Sequence, residues 1–250
     1  MHLCRACYER KNYLILEFER YQKATVIYQG SKKLYNKYIL PITLKDRKEG
    51  QWYVEPFVGG CNSFEAVANP RLGSELNPWV LLTLNAIRDG WVPPKSVSIE
   101  EYKRYRKEKP MIPETGFIGI ACSFGARWFE GYARNSTKHD YALGGHNSAL
   151  KQSPKLKGSE LVCCSYDELD IPDNSIIYCD PPYKNTKRYH KKFDHDMFYD
   201  WCRQKKQEGH SIFVSEIEMP DDFICVWEKE MKAKINAKAV KKRYERLFTL

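Results

Sequence analysis

Short apolar runs bounded by glycine, proline and asparagine alternate along this chain with stretches whose apolar residues recur every three or four positions. The short runs suit buried strands and the longer period suits helices packed on them. Their alternation predicts an α/β fold with a mainly parallel sheet. Strands are expected over 51–57, 71–75, 161–166, 175–180 and 211–216, with 224–231 and 243–250 pairing as a closing hairpin. A glycine turn after the first strand leads into a short helix expected over 62–69. Asn77 offers an N-cap oxygen, Pro78 fits a first helical position, and Gly90 follows the apolar residues Val80, Leu81, Leu84 and Ile87, so both ends of a helix are signalled. Ser98 and Glu101 form a capping-box pattern opening another helix that Pro110 closes. A further helix is expected over 196–207.

One stretch breaks the alternation. Residues 117–146 are glycine-rich, aromatic and basic, with Arg127, Trp128, Phe129, Tyr132, Arg134 and Lys138. The architecture expected is a single sheet domain formed by 1–90 and 159–250, with 91–158 inserted as a mainly helical and irregular segment. At 42% hydrophobic residues the 250-residue chain can bury a substantial core, which excludes a disordered polymer. Its formal charge of +9 favours polyanionic partners. Nine cysteines and a charged N-terminus without a leader pattern suggest reduced thiols and a cytoplasmic location. The longest mostly apolar stretch, 79–87, is too short to cross a bilayer, so no membrane partner is expected. Cys4 and Cys7 have the spacing of half a zinc site, but no second pair accompanies them and no metal is expected.

The sharpest chemical signal is Ile176-Ile177-Tyr178-Cys179-Asp180-Pro181-Pro182-Tyr183, an apolar strand ending in a carboxylate, two prolines and an aromatic ring. Ligands bind at that end of the strands in open α/β sheets. Two prolines fix the backbone and remove two N–H donors, leaving carbonyls free to accept. Such a site suits an exocyclic amine, whose lone pair is delocalised into its ring. The Asp180 carboxylate and the Pro181 carbonyl could accept its two N–H groups and expose the lone pair, while Tyr183 offers a flat face to a base turned out of a duplex. Upstream, Glu55-Pro56-Phe57-Val58-Gly59-Gly60-Cys61 reads as a strand followed by a glycine turn, which lets a backbone approach a cofactor. Glu75 ends the next strand, where a carboxylate can accept both ribose hydroxyls.

Four segments in order, Tyr28-Gln29-Gly30-Ser31-Lys32, Glu55-Pro56-Phe57-Val58-Gly59, Ser74-Glu75-Leu76-Asn77-Pro78 and Asp180-Pro181-Pro182-Tyr183, make the chain resemble the Dam-type N6-adenine DNA methyltransferases, particularly the short phage-encoded ones. The resemblance runs from about Val26 to Leu250. It implies a Rossmann-like, S-adenosylmethionine-dependent methyltransferase sheet, with 91–158 as the target-recognition segment. It also implies that Tyr28 and Lys32 contact the methionine end of the cofactor, that Phe57 and Gly59 belong to the glycine motif, and that Glu75 holds the ribose. Ser165 and Tyr166, at the end of the third strand, are implied to flank the cofactor adenine, and Asp180 to lie beside both cofactor and target base. Asp180, Pro181 and Tyr183 are the catalytic expectation. Cys61 stands where many relatives have a second glycine, so the turn is expected to rest on Gly59, Gly60 and Asn62. Residues 117–135 do not match the recognition segment of the GATC-modifying enzymes, so that specificity is not carried over.

Double-stranded DNA is the expected partner, in a bacterial host cell, with no obligatory protein partner and a companion restriction endonuclease left open. Lys184, Lys187, Arg188, Lys191 and Lys192 follow Tyr183 and would hold phosphates beside an extruded nucleotide. Arg127, Arg134 and Asn135 are the candidates for reading bases. Three alternatives stay open: an amine methyltransferase acting on RNA, one acting on cytosine N4, and an inactive DNA-binding relative.

Overall fold

A computed structural model describes residues 31–134, 140–184, 193–230 and 244–250. Strands β1 (Tyr53–Glu55), β2 (Arg71–Ser74), β3 (Glu160–Val162), β4 (Ile176–Cys179), β5 (Ser211–Glu216), β6 (Ile224–Glu230) and β7 (Tyr244–Thr249) form one seven-stranded sheet in the order β3-β2-β1-β4-β5-β7-β6. β1 pairs in parallel with β2 and β4, β2 with β3, and β4 with β5. β7 alone is reversed, pairing antiparallel with both β5 and β6. The α/β class with a mostly parallel sheet is therefore as the alternating pattern anticipates.

Six α-helices lie among the described residues: α1 (Asn36–Thr43), α2 (Pro78–Arg88), α3 (Ile99–Glu108), α4 (Pro113–Ala121), α5 (Tyr141–Leu156) and α6 (His195–Gln207). β1, β2 and β4 are buried along their whole length, as parallel strands covered on both faces must be. Alternation sends Tyr53, Ile176, Tyr178 and Leu247 into a core shared with Ile39, Leu84, Ala149 and Leu156. It sends Val54, Ile177, Cys179 and Val214 into a second core against Phe198 and Trp201 of α6. β6 is exposed along almost all its length and carries Glu228, Lys229 and Glu230, charges that discourage edge-to-edge pairing.

The caps form as the sequence signals. Asn77 Oδ1 accepts from the backbone N–H of Trp79 at 3.1 Å and of Val80 at 3.2 Å. Ser98 and Glu101 close a reciprocal capping box. Two expectations are corrected. In place of a helix over 62–69 there is a single 3₁₀ turn, Phe64–Ala66. The buried Arg71 guanidinium takes the Phe64 and Val67 carbonyls, which a continuing helix would have needed. The third strand stops at Val162, so Ser165 and Tyr166 lie beyond its end.

The segment 91–158 is a long connection between β2 and β3 that shares the core of the sheet. Ile120, Ala126, Ala149 and Leu156 join Tyr53 and Ile176 in one cluster, while Val97, Tyr102, Phe117, Ile118 and Phe129 make a smaller core within the segment. No helix among the described residues is long and apolar enough to cross a membrane.

Candidate active site at the sheet switch point

From β1 the chain runs outward to β2 and β3 on one side, and β4 and β5 lie on the other. The strand order therefore reverses between β1 and β4, the switch point at which open α/β sheets bind ligands, beyond the C-terminal ends of the strands. Glu55 and the glycine turn follow the end of β1, and Asp180 to Lys184 follow the end of its neighbour β4. The turn is fixed from several sides. Val58 N–H donates to the Ser74 carbonyl, and Ser74 Oγ donates to the Pro56 carbonyl, both at 2.9 Å. Gln152 of α5 donates to the Gly60 carbonyl at 2.9 Å. Asn36, the first residue of α1, donates to the Asn62 carbonyl at 2.9 Å.

The left-handed positions of this turn are Gly59, with φ +50°, and Cys61, with φ +59°. The expectation that Gly60 and Asn62 would supply the remaining freedom is thus corrected: a non-glycine residue takes the strained position. In that conformation a Cβ crowds the following carbonyl oxygen, at a cost on the order of 1–2 kcal/mol. Complete burial of its thiol in the core offsets part of that cost.

Lys32, just before α1, is only 7% exposed. Its Nζ lies 3.1 Å from Asp180 Oδ1 and 3.1 Å from Glu245 Oε1. It also donates to the Tyr183 hydroxyl, with Nζ 4.3 Å from the centre of that ring. The Tyr183 hydroxyl in turn donates to Glu245 Oε1 at 2.5 Å. Burial alone would lower the Lys32 ammonium, but the carboxylates of Asp180 and Glu245 outweigh it and hold its pKa above the ordinary value. For Asp180 burial pushes upward, Lys32 pulls back and Glu245 pushes upward again, giving about 6.

Two further carboxyls border this cluster. Burial raises Glu55 to about 8 against the opposing hydrogen bond from the Tyr53 hydroxyl, which donates at 2.8 Å. Burial raises Glu216, at the end of β5, to about 7 although it accepts from the N–H groups of Ile217 at 2.7 Å and Lys184 at 3.1 Å. The second of those bonds fastens the start of the segment after Tyr183 to the sheet.

Of the sequence-derived residues, the structure brings Lys32, Asp180 and Tyr183 into direct contact. Pro181 is buried beside them and Lys184 is exposed. Glu75 is half-buried at the tip of β2, where Oε1 accepts from Asn77 N–H at 2.8 Å. Phe57 stacks on Tyr166 with ring centres 5.4 Å apart. Tyr166 also meets Phe198 and Trp201 and is 6% exposed, and its buried hydroxyl has no hydrogen-bond partner among the described residues. Ser165 is half-buried beside it. Arg127 pairs with Glu130 at 2.8 Å, and Arg134 is exposed on the connection between α4 and α5. Tyr28, Asn135, Lys187, Arg188, Lys191 and Lys192 lie outside the described residues.

Sequence reasoning passed over Glu245 and Glu216. The signal for the first was present: Glu245 and Leu247 share one face of β7 by alternation, and Leu247 is fully buried while Glu245 is 1% exposed. An acid on the apolar face of a strand needs a partner. A separate apolar cavity of about 20 Å³ between α2 and α4, lined by Val80, Leu84, Gly116 and Phe117, has room for little more than a water and none for a nucleoside. No family model matches this chain, and no curated protein sequence matches it.

Proposed function

We propose that this chain is a DNA methyltransferase that transfers a methyl group from S-adenosylmethionine to the N6 amine of adenine. The observation that carries the reading is the contact of Asp180 and Tyr183, at the tip of β4, with the buried Lys32 at the switch point of the sheet. The arrangement fits a Rossmann-like methyltransferase sheet of the kind that the four motifs imply.

The donor set fits the cofactor. Its methionine end carries an ammonium and a carboxylate, and the described residues at the strand ends set the Lys32 ammonium among the acids Asp180, Glu55 and Glu245. The turn at Gly59 lets backbone come close, and Glu75 would hold the ribose hydroxyls. Phe57 and Tyr166 would supply apolar surface towards the adenine ring, with Ser165 beside them. When bound, the cofactor supplies an electrophilic methyl group on a sulfonium.

The chain's own residues then have distinct tasks. The Asp180 carboxylate and the Pro181 carbonyl accept the two N–H groups of the target amine, which localises its lone pair on nitrogen. Tyr183 offers its ring to stack on the extruded base. Asp180 must be ionised to accept, so its pKa of about 6 predicts transfer that rises with pH through that value. The exposed Lys184 and Arg134 and the half-buried Arg127, with Asn135 and the run from Lys187 to Lys192, would hold and read DNA.

The test is incubation with labelled S-adenosylmethionine and duplex DNA, single-stranded DNA or RNA, followed by mass spectrometry of the nucleosides. Label on adenine N6 in duplex DNA is expected. Label confined to cytosine or to RNA replaces the substrate, and absence of label with no binding of the cofactor overturns the reading.

A further inference from the structure

Glu245 is a buried acid on the one reversed strand of the sheet. It belongs to none of the four sequence segments above. A single oxygen, Oε1, meets both the Lys32 ammonium at 3.1 Å and the Tyr183 hydroxyl at 2.5 Å. Lys32 is therefore one cation divided between two carboxylates, Asp180 and Glu245, and it touches the ring that a base would lie on. A lysine committed to Asp180 alone would draw off the electron density with which that carboxylate must accept an amine N–H.

We propose that Glu245 is a positioning residue for methyl transfer, drawing Lys32 away from sole pairing with Asp180 and fixing the Tyr183 ring through its hydroxyl. The inference rests on the proposed function and adds to it the group that keeps the acceptor available. The charged and titratable neighbours agree with that division of labour. Asp180 is surrounded by Lys32 before α1, Glu55 of β1, Tyr178 of β4, Tyr183, Glu216 of β5 and Glu245 of β7. Lys32 is the cation among them, and Glu245 is the acid in contact with it besides Asp180. Loss of the Glu245 charge leaves the Lys32 ammonium to Asp180, and the Asp180 pKa falls, since Glu245 is one of the groups raising it.

Two substitutions separate charge from geometry. In Glu245→Gln the amide oxygen can still accept from both Lys32 and Tyr183, so the ring stays fixed while the charge goes. The acid limb of the kcat/KM profile, set near 6 by Asp180, should move to lower pH. The Asp180 carboxyl titration followed by carbon NMR should move with it. In Glu245→Ala both contacts go, and kcat should fall on the order of tenfold with KM for DNA little changed. Glu245→Gln should recover only the part of that loss that comes from the displaced Tyr183 ring. Unfolding midpoints of the variants establish that each is folded under assay conditions. An active wild type whose pH profile and Asp180 titration are unmoved by Glu245→Gln overturns the inference alone. A folded wild type that transfers no methyl group overturns the proposed function and the inference with it.

Discussion

The switch-point site and the β2–β3 connection are both rich in charge, but they hold it differently. At the strand ends Lys32 is held against both Asp180 and Glu245; burial raises the Asp180 pKa, while the two carboxylates hold the Lys32 ammonium up against its burial. In the connection Arg127 and Glu130 pair across an exposed surface, at 31% and 45% exposure. Solvent screening leaves such a pair worth about 0–1 kcal/mol. The backbone there is also unusual, with Ala126 and Phe129 at φ +54° and +49°. Chemistry on a weak nucleophile needs groups fixed and desolvated before substrate arrives. Contact with a long polyanion needs side chains that reach solvent and can adapt, so the two demands fall on different parts of one fold.

The largest effect expected from breaking this contrast is at Asp180. Asp180→Ala should lower methyl transfer by roughly a thousandfold or more, while duplex affinity, measured by anisotropy, stays within a few fold. A variant with near-normal turnover would remove this site from the chemistry.

Next comes the seam between the two regions. A Cβ on Gly116 would lie 2.1 Å from the Trp79 carbonyl oxygen and 2.2 Å from Thr83 Oγ1, so α4 cannot sit on α2 with any larger residue there. Gly116→Val should cost about 3 kcal/mol or more by denaturant unfolding. It should lower the midpoint of a single transition, because the two regions share a core. A separate early transition confined to the connection would show that they unfold independently.

A smaller effect concerns pH. The Glu55 carboxyl is raised from 4.5 to about 8, so the native state binds this proton more tightly than the unfolded chain. Its contribution to stability is complete below the unfolded value and is lost as pH rises through the folded one. Glu55→Gln mimics the protonated form and should flatten the fall of Tm over that window. An undiminished fall would assign it to other groups.

The smallest effect is on the exposed side. Arg134→Ala should reduce the salt slope of DNA binding by about one, without changing fold or cofactor affinity. Arg127→Ala should reduce it by less, since reaching a phosphate first breaks its pair with Glu130. An unchanged slope in both would take this connection out of the DNA interface.

Much of the fold was legible locally. β5 spans the 211–216 run itself, and the Asn77 and Ser98 caps begin helices where their side chains can satisfy free backbone N–H groups. These signals act within four residues of chain, so a linear reading captures them. The failures share a different cause. The 62–69 helix yields to one 3₁₀ turn because Arg71, on the next strand, claims its carbonyls. α5 runs for 16 residues through Gly144, Gly145 and Pro154, against local propensity, because Gly145 packs on Ala121 and Phe117 and the helix covers the sheet with Ala149 and Leu156.

For the site itself, the sequence determined the Asp180-Pro181-Pro182-Tyr183 strand end, the glycine turn and the place of Glu75 at a strand tip, because spacing and residue type are written along the chain; the candidate role of Lys32 came from the resemblance alone. The tertiary structure decided who meets whom. Glu245 reaches Lys32 and Tyr183 only because β7 inserts in reverse between β5 and β6. Cys61, and not Asn62, takes the left-handed position because its thiol fills the core. Strand neighbours and burial are set by contacts far apart in sequence, and those contacts determine which acids share a proton or a cation.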